Sequence, residues 1–295
     1  MLARMLRVGS SLEYVAALLL AVAMMVVGVP FWLALPLAAL LPLAVHGVPL
    51  AIEFAVGALM DRRPVARLGL PALAAVWWRE TWRSFVVFNI DQPWRAAFPE
   101  RSLQHDPQRP AVLLVHGYMC NRATWRPWLM GGLPDHWNVA TVNLEPVFAP
   151  ISRYAEVIDA AVERLRAASG AERITIVCHS MGGLAVRAYL RSHGHHATKR
   201  VITIDTPHRG TLFAHLGRGH NARQMRRASE FVRELERDPE PLEFVCIASQ
   251  HDNLIVPRNN QLLPGVEAVW FERIGHLSMT DDPAVLRKVV EIVER

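Results

Sequence analysis

The stretch Ile174-Thr-Ile-Val-Cys-His-Ser180-Met-Gly-Gly-Leu-Ala-Val-Arg-Ala-Tyr-Leu190 joins two patterns at a serine. The apolar and β-branched residues before Ser180 are typical of a buried strand, and the residues after it have helical spacing. A serine at such a turn has a strained backbone that lifts its hydroxyl off the sheet, so its neighbours must be small. Cys178 and Gly182 meet that requirement, although Cys178 stands where glycine is usual. We therefore predict a strand, a sharp turn and a helix, with Ser180 as a candidate nucleophile at the helix N-terminus.

A base and an acid are expected further along the chain, because a serine hydroxyl alone is a weak nucleophile at neutral pH. Asp252 and His276 each follow an apolar run that is typical of a strand, so both fall in loops at a sheet edge. Their order after Ser180 is the one that a nucleophile of this type requires. Asp205 ends another apolar run and is an alternative acid. We expect packing or local hydrogen-bonding roles for the residues beside these candidates: His179, His251 and Ser278.

An oxyanion hole is expected in the loop after an earlier strand. Residues 111 to 115 form an apolar run, and His116, Gly117 and Tyr118 follow it. The backbone N–H groups of Tyr118 and Met181 are the candidate donors, since such groups stabilise an oxyanion from about 3 Å away. A plain turn after the strand is the alternative interpretation of this loop.

Four motifs occur along the chain in the order found in one enzyme superfamily. They are His116-Gly117-Tyr118, the turn from Cys178 to Gly183, Thr206-Pro207-His208-Arg209-Gly210-Thr211, and Asp252 with Gly275-His276. With these motifs the chain resembles the α/β-hydrolase superfamily and, within it, the bacterial lipases and esterases. The resemblance covers residues 110 to 295. It implies that Ser180 is the nucleophile, Asp252 the acid and His276 the base, that the two amides named above bind the oxyanion, and that the third motif shapes the substrate entrance.

Strand and helix patterns alternate through residues 110 to 295, which we take as the catalytic domain. This alternation predicts an α/β fold with about six mainly parallel strands and helices on both faces of the sheet. A domain of about 185 residues is small for such a fold, so a large lid is not expected. The one long insertion, residues 209 to 238, is either a short cap over an acyl pocket or a solvated connecting helix.

The N-terminal segment is the second strong signal. Residues 12 to 60 are almost continuously apolar, which is about twice the length that one helix needs to cross a bilayer. We predict a membrane anchor over residues 1 to 61, with one span near residues 12 to 29 and a second within residues 31 to 60. The turn is expected at Gly28-Val29-Pro30, and the run is too long for a cleaved signal peptide.

Positive charges predict the orientation of this anchor. They lie on both sides of the apolar run and are absent from the turn: Arg4, Arg7, Arg62, Arg63 and Arg67. Both ends therefore favour the cytoplasm, which predicts a bacterial-type inner membrane protein with a cytoplasmic catalytic domain. A single span or a cleaved leader would place that domain in the periplasm instead.

Residues 62 to 109 form a segment rich in tryptophan and arginine, including Trp77, Trp78, Trp82 and Trp94. Amphipathic aromatic residues and arginines suit the headgroup layer, so we predict an interfacial helix near residues 72 to 88. An additional helix packed on the catalytic domain is the alternative. The net charge of +5 also suits an anionic membrane surface, whereas no basic motif of a nucleic-acid-binding fold is present.

No cofactor and no metal are predicted. His193, His195 and His196 lie together, but no second cluster of metal ligands accompanies them. Asp281 and Asp282 follow the candidate base, and no second ligand segment is recognisable. The three cysteines are expected as buried thiols because their number is odd and they lie in or beside predicted strands.

Together these patterns predict a membrane-anchored serine hydrolase that cleaves lipid or acyl esters through an acyl-enzyme on Ser180, with membrane lipids as partners of its N-terminal segment. An acyltransferase or thioesterase would use the same residues, and a non-catalytic membrane scaffold is the alternative of another class. Because the three candidate catalytic residues lie in the catalytic domain, a protein lacking residues 1 to 110 is expected to keep its activity on short soluble esters.

Overall fold

A parallel sheet of six strands lies at the centre of the C-terminal two thirds of the chain. The computed structural model describes residues 1–60, 68–237 and 243–295. Outside these ranges lie the expected domain boundary between residues 61 and 62, Arg62, Arg63 and Arg67, and the expected end of the insertion at residue 238. The strands are β1 Ala111–Val115, β2 Asn138–Val142, β3 Ile174–His179, β4 Thr198–Ile204, β5 Glu243–Ser249 and β6 Glu267–Phe271.

The strand order is β2-β1-β3-β4-β5-β6, and every neighbouring pair is parallel. The helices are α1 Leu2–Val26, α2 Phe31–Ala39, α3 Leu41–Met60, α4 Leu70–Phe85, α5 Gln92–Trp94, α6 Arg126–Leu129, α7 Tyr154–Ser169, α8 Met181–His193, α9 Gly219–Gln224, α10 Glu230–Arg237 and α11 Pro283–Glu294. At least one of these helices separates each strand from the next between β1 and β5, and the connection from β5 to β6 contains a short 3-10 helix, Arg258–Gln261. Parallel neighbours need such crossover connections.

Helices cover both faces of the sheet. Leu113 of β1 packs into one apolar core with Leu184 of α8, whereas the adjacent Leu114 packs into a second core with Val285 of α11. Successive side chains of a strand point to opposite faces, so the two cores lie on opposite sides of the sheet. Strands buried on both faces appear as continuous apolar runs in the sequence. The predicted α/β fold with about six mainly parallel strands is confirmed.

The apolar N-terminal stretch forms three helices. α1 begins at Leu2, well before the expected start near residue 12, and the chain turns at Gly28, whose φ is +92°. The second apolar run is divided at Leu40 into α2 and α3. Pro42 accounts for this break, since it has no N–H to continue the helical hydrogen bonds and its ring crowds the preceding turn.

Two of these helices, α1 and α3, are long and apolar enough to cross a membrane by length and composition. They match the two apolar helices of the predicted hairpin. Of the most apolar 18 residues in each helix, 11% are buried in α1 and 22% in α3. Most of this apolar surface therefore faces outward. A core helix of a soluble protein would bury that surface, whereas a membrane helix or a signal sequence would not.

The helix of the tryptophan- and arginine-rich segment, α4, packs on the catalytic domain through its polar side. The Arg83 guanidinium is buried and donates to the carbonyl oxygen of Thr124 at 3.1 Å and to the hydroxyl of Thr280 at 3.2 Å. On the other side of the helix, Trp78 and Trp82 are about half exposed. The same helix therefore contacts the catalytic domain and presents aromatic side chains outward.

Candidate active site

Ser180 occupies a strained turn between β3 and α8. Its φ is +55° and its ψ is −128°, a region that residues with a side chain rarely adopt and that costs about 1–3 kcal/mol. The surrounding backbone fixes this conformation: the Ser180 N–H donates to the carbonyl oxygen of Ile204 at 2.9 Å, and the Gly183 N–H donates to the carbonyl oxygen of Ser180 at 3.0 Å. The serine that the sequence selects therefore lies at the predicted sharp turn.

The neighbours of Ser180 have to be small. A Cβ atom at Gly182 would lie 2.6 Å from the carbonyl oxygen of His116, and one at Gly117 would lie 2.8 Å from the Cβ atom of Ser180. Cys178, which replaces the usual glycine, is buried in β3, where its thiol donates to the carbonyl oxygen of Ile202 at 3.5 Å. A cysteine therefore fits at this position because its small side chain remains within the sheet.

His276 and Asp252 meet in the loops after β6 and β5. The Nδ1 atom of His276 lies 2.7 Å from Oδ2 of Asp252, and both residues are buried. The other oxygen of Asp252 accepts hydrogen bonds from the backbone N–H groups of Leu254 and Ile255, each at 2.6 Å. Two backbone donors and one ring nitrogen therefore hold this carboxylate in place.

Asp205, the alternative acid, lies close to the same imidazole but farther away. Its Oδ2 atom is 3.9 Å from Nδ1 of His276, and its Oδ1 atom accepts from the backbone N–H of Ser249 at 2.7 Å. Oδ2 is buried without a hydrogen-bond donor among the described residues. Of the two carboxyl groups, the geometry favours Asp252 as the partner of the histidine.

The three groups differ in charge. Burial and the charge of Asp252 raise the pKa of Asp205 well above its usual range, so a neutral carboxyl group fits there. Burial would raise the pKa of Asp252, but His276 and the donors around it hold that pKa at about 2. Burial would lower the pKa of His276, but the charge and hydrogen bond of Asp252 raise it above its usual value.

This cluster also bears on metal binding. The ligand atoms of Asp205, Asp252 and His276 lie within 4.8 Å of one another. In the described ranges, no other group of three or more His, Cys, Asp or Glu residues comes as close together. Hydrogen bonds within the cluster already use Nδ1 of His276 and both oxygens of Asp252. The arrangement therefore has the chemistry of a hydrogen-bonded acid and base pair.

The candidate oxyanion donors belong to the loop after β1 and to the start of α8. β1 and β3 are adjacent with Val115 opposite Cys178, so the loop after β1 begins next to the serine turn. The Tyr118 hydroxyl donates to the carbonyl oxygen of Arg218 at 2.9 Å, which ties this loop to the insertion. Met181 is the first residue of α8, where helix geometry leaves backbone N–H groups without partners inside the helix.

A cavity of about 420 Å³ adjoins Ser180 and His276. The catalytic domain contributes Gly117, Tyr118, Pro207, Leu254 and Ile255, the insertion contributes Phe213, Ala214 and Met225, and the N-terminal helices contribute Val45, Pro49, Leu50, Glu53, Glu80 and Phe88. Of the two interpretations of the insertion, a short wall over the pocket fits this lining. The sequence analysis gave packing of a helix near residues 72 to 88 on the catalytic domain as an alternative, but it did not predict that α3 and α4 line this cavity.

Glu80 of α4 is the clearest residue that sequence reasoning missed. Its carboxylate is fully buried and accepts from the backbone N–H of Leu277 at 2.6 Å and from that of Ser278 at 3.0 Å. Burial raises the pKa of Glu80. A Cβ atom at Gly275 would lie 2.5 Å from the carboxyl carbon of Glu80, so glycine there allows the close approach. Glu80 therefore holds both residues that follow His276.

Glu53 of α3 contacts the loop of the acid. Its Oε2 atom accepts from the side-chain amide of Asn253 at 2.6 Å, and Oδ1 of Asn253 accepts from the backbone N–H of His276 at 3.0 Å. An acidic residue within an apolar helix is costly unless it has a partner, so Glu53 was a usable signal in the sequence. The sequence did not indicate which partner it would contact.

The neighbours of the candidate residues have local roles. The ring of His179 lies 4.7 Å from that of His276, and its Nε2 atom is 3.1 Å from the carbonyl oxygen of His276. Burial lowers the pKa of His179 well below its usual value, so this imidazole is neutral. His251 is buried, and its Nδ1 atom accepts from the backbone N–H of Arg273 at 3.0 Å.

Comparison with known proteins gives the same fold. A family model described as alpha/beta hydrolase fold matches residues 110–240. The structure is similar to lipase B of Aspergillus fumigatus, with 17% identity, a TM-score of 0.58, 67% of this chain covered and 56% of that chain. It is also similar to the mature form of lipase BlEst2 of Bacillus licheniformis, with 16% identity, a TM-score of 0.56, 65% of this chain covered and 95% of that chain.

The chain thus spans little more than half of the Aspergillus lipase. No curated protein matches it in sequence. Identities this low establish the fold and leave the substrate open. The resemblance seen in the sequence motifs is confirmed at the level of the fold: the chain has the alpha/beta hydrolase fold, and the two solved structures described above are lipases.

Proposed function

We propose that this chain is a serine ester hydrolase that its N-terminal helices hold at a membrane. One observation carries the proposal: Ser180 has a positive φ at a strand-to-helix turn and shares a cavity with His276, whose Nδ1 atom lies 2.7 Å from Asp252. A nucleophile, a base and an acid in this order are what acyl transfer through a serine requires.

The reaction begins when the Ser180 hydroxyl attacks the carbonyl carbon of the ester, while Nε2 of His276 takes its proton. Asp252 stabilises the imidazolium, and the N–H groups of Tyr118 and Met181 bind the oxyanion. The tetrahedral intermediate then expels the alcohol, which receives the proton from His276. His276 then takes a proton from water, which attacks the acyl-enzyme. The carboxylic acid product departs, and His276 returns the proton to Ser180.

The charges around the imidazole support these roles. An acid that stabilises an imidazolium must be ionised, and the pKa of Asp252 is held at about 2. The pKa of Asp205 is raised by burial and by the charge of Asp252, so this neighbour adds no second negative charge beside His276. The pair therefore provides one carboxylate next to the histidine.

Lipid or acyl esters are the proposed substrates. The cavity next to Ser180 is lined mainly by apolar side chains, and two long apolar helices adjoin the catalytic domain.

We place the enzyme in a bacterial-type inner membrane. We propose residues 1 to 61 as the anchor, residues 62 to 109 as the interfacial segment and residues 110 to 295 as the catalytic domain. The proposal of a cytoplasmic catalytic domain rests on the arginines on both sides of the apolar run, Arg4, Arg7, Arg62, Arg63 and Arg67, and the periplasm is the alternative.

A fluorophosphonate probe tests the nucleophile, because it reacts covalently with activated serines. We expect the full-length protein in detergent to be labelled, the Ser180→Ala variant to be unlabelled, and Ser152→Ala to be labelled like the wild type. Ser152 is a suitable control because it is exposed near the start of α7, outside the candidate site. Labelling that survives Ser180→Ala would contradict the assignment, and a folded wild type without labelling would favour a non-catalytic scaffold.

A further inference from the structure

Helix α3 has two different apolar faces. Leu50 and Phe54 are 7% and 5% exposed, and Leu50 lines the cavity. Val48 and Ile52 are 59% and 57% exposed. One face of the helix therefore lines the cavity beside the candidate nucleophile, and the other is apolar surface that no described part of the chain covers.

The cavity combines a few polar groups with a lining that is mainly apolar. Ser180, His276 and Asn253 are among the polar groups, and Asn253 binds both Glu53 and the backbone of His276. The rest of the lining is mainly apolar, including Leu50 of α3 and Phe88. The polar residues that α3 adds to the lining have hydrogen-bond partners: His46 contacts Ser84 and Asn89, and Glu53 contacts Asn253. This distribution fits a molecule with a polar group to react and an unbranched apolar chain to bury.

The rim of the cavity lies on the apolar surface of α3. Val45 and Pro49 line the cavity and are also exposed, so they mark an opening beside this helix. Val48 and Ile52, which lie on the same helix, are the exposed apolar residues described above. A molecule that enters the cavity at this rim comes from the apolar surroundings of the exposed face of α3.

We propose that α3 forms the outer wall of an acyl-chain site, and that the chain of a lipid ester enters past Val45 and Pro49 from the bilayer and lies against Leu50. This inference rests on the proposed function and specifies its substrate class: esters of long acyl chains, taken from the membrane. The apolar helix thus belongs to the substrate site as well as to the membrane surface.

Matched tryptophan substitutions in the full-length protein test this site. Leu50→Trp fills the cavity, whereas Ile52→Trp adds the same side chain on the exposed face of the same helix. The measurement is the ratio of kcat/KM on p-nitrophenyl palmitate to that on p-nitrophenyl butyrate. We expect Leu50→Trp to lower this ratio at least about tenfold and Ile52→Trp to leave it unchanged. Equal ratios in the two variants would overturn the proposal.

A binding measurement separates this inference from the proposed chemistry. A fluorescent long-chain fatty acid is titrated into the Ser180→Ala protein, with Leu50→Trp or Ile52→Trp added. Loss of binding with Leu50→Trp alone supports the acyl site even if the wild type hydrolyses no ester. Undiminished binding with Leu50→Trp refutes the acyl site even if Ser180 is labelled. Val45→Trp at the exposed rim is the second variant should Leu50→Trp not fold, and it is expected to weaken binding.

Discussion

Two buried carboxyl groups approach the same nitrogen of His276, at 2.7 Å for Asp252 and 3.9 Å for Asp205. Burial favours the neutral form of both, but Asp252 has a hydrogen bond to the imidazole and two backbone donors, whereas Asp205 has one backbone donor. Asp252 has those donors, and its pKa is held at about 2, whereas burial and the charge of Asp252 raise the pKa of Asp205. A difference of about 1 Å in distance thus separates an ionised acid from its neutral neighbour.

The charge assignment predicts different effects for two conservative substitutions. Asp252→Asn removes the charge beside His276, so kcat should fall by roughly ten-thousand-fold. Asp205→Asn replaces one neutral group by another and should lower kcat far less. Asp252 raises the pKa of His276 above its ordinary value of about 6.5. We therefore expect kcat/KM to fall as the pH drops through this raised pKa.

Measuring kcat/KM against pH checks these expectations. Protonated His276 cannot accept the serine proton, so the acidic limb should stay in place in Asp205→Asn and move to lower pH in any residual activity of Asp252→Asn. A larger loss in Asp205→Asn than in Asp252→Asn would reverse the assignment of the acid.

At the scale of elements, α4 holds the loop of the candidate base. Glu80 accepts hydrogen bonds from two consecutive backbone N–H groups directly after His276. In Glu80→Gln one oxygen acceptor becomes an NH₂ donor facing an N–H group, so the loop has to shift. We expect kcat to fall by up to about 100-fold with KM changed less than about twofold, because the imidazole moves while the cavity remains.

Glu272→Gln is the matched control, since Glu272 is exposed in the same loop, four positions before His276. Steady-state kinetics of the two variants, with circular dichroism to verify folding, decide between positioning and simple packing. A change in KM and kcat together, or no change at all, would argue against a positioning role for Glu80.

The pattern of elements shows which parts of the structure a sequence determines locally. The β-branched run before Ser180 and the small residues around it specify a strand, a turn and a helix without reference to distant residues. Strands buried on both faces are equally visible, so the parallel sheet could be predicted. The break at Leu40 was missed because prolines are tolerated in membrane helices, which made Pro42 ambiguous.

Across the whole molecule, the contacts between the N-terminal helices and the catalytic loops could not be predicted. Glu80 and Leu277 are separated by 197 positions, and Asn253 and Glu53 by 200, so no local pattern connects them. The sequence presents residues 1 to 110 as an anchor followed by an interfacial segment. The structure brings α3 and α4 against the loops of Asp252 and His276, so the cavity belongs to both parts of the chain.

These contacts change the expectation for a protein that lacks residues 1 to 110. Such a fragment keeps Ser180, Asp252 and His276, but it loses Glu80, so the N–H groups of Leu277 and Ser278 exchange the acceptor that fixes them for solvent. We therefore expect lower kcat/KM on butyrate esters as well as on palmitate esters, and a lower Tm than that of the full-length protein. Thermal unfolding and kinetics of both forms in the same detergent provide the measurement. A fragment that cleaves butyrate esters as fast as the intact protein would show that the catalytic domain is independent and that α3 and α4 act only as an anchor.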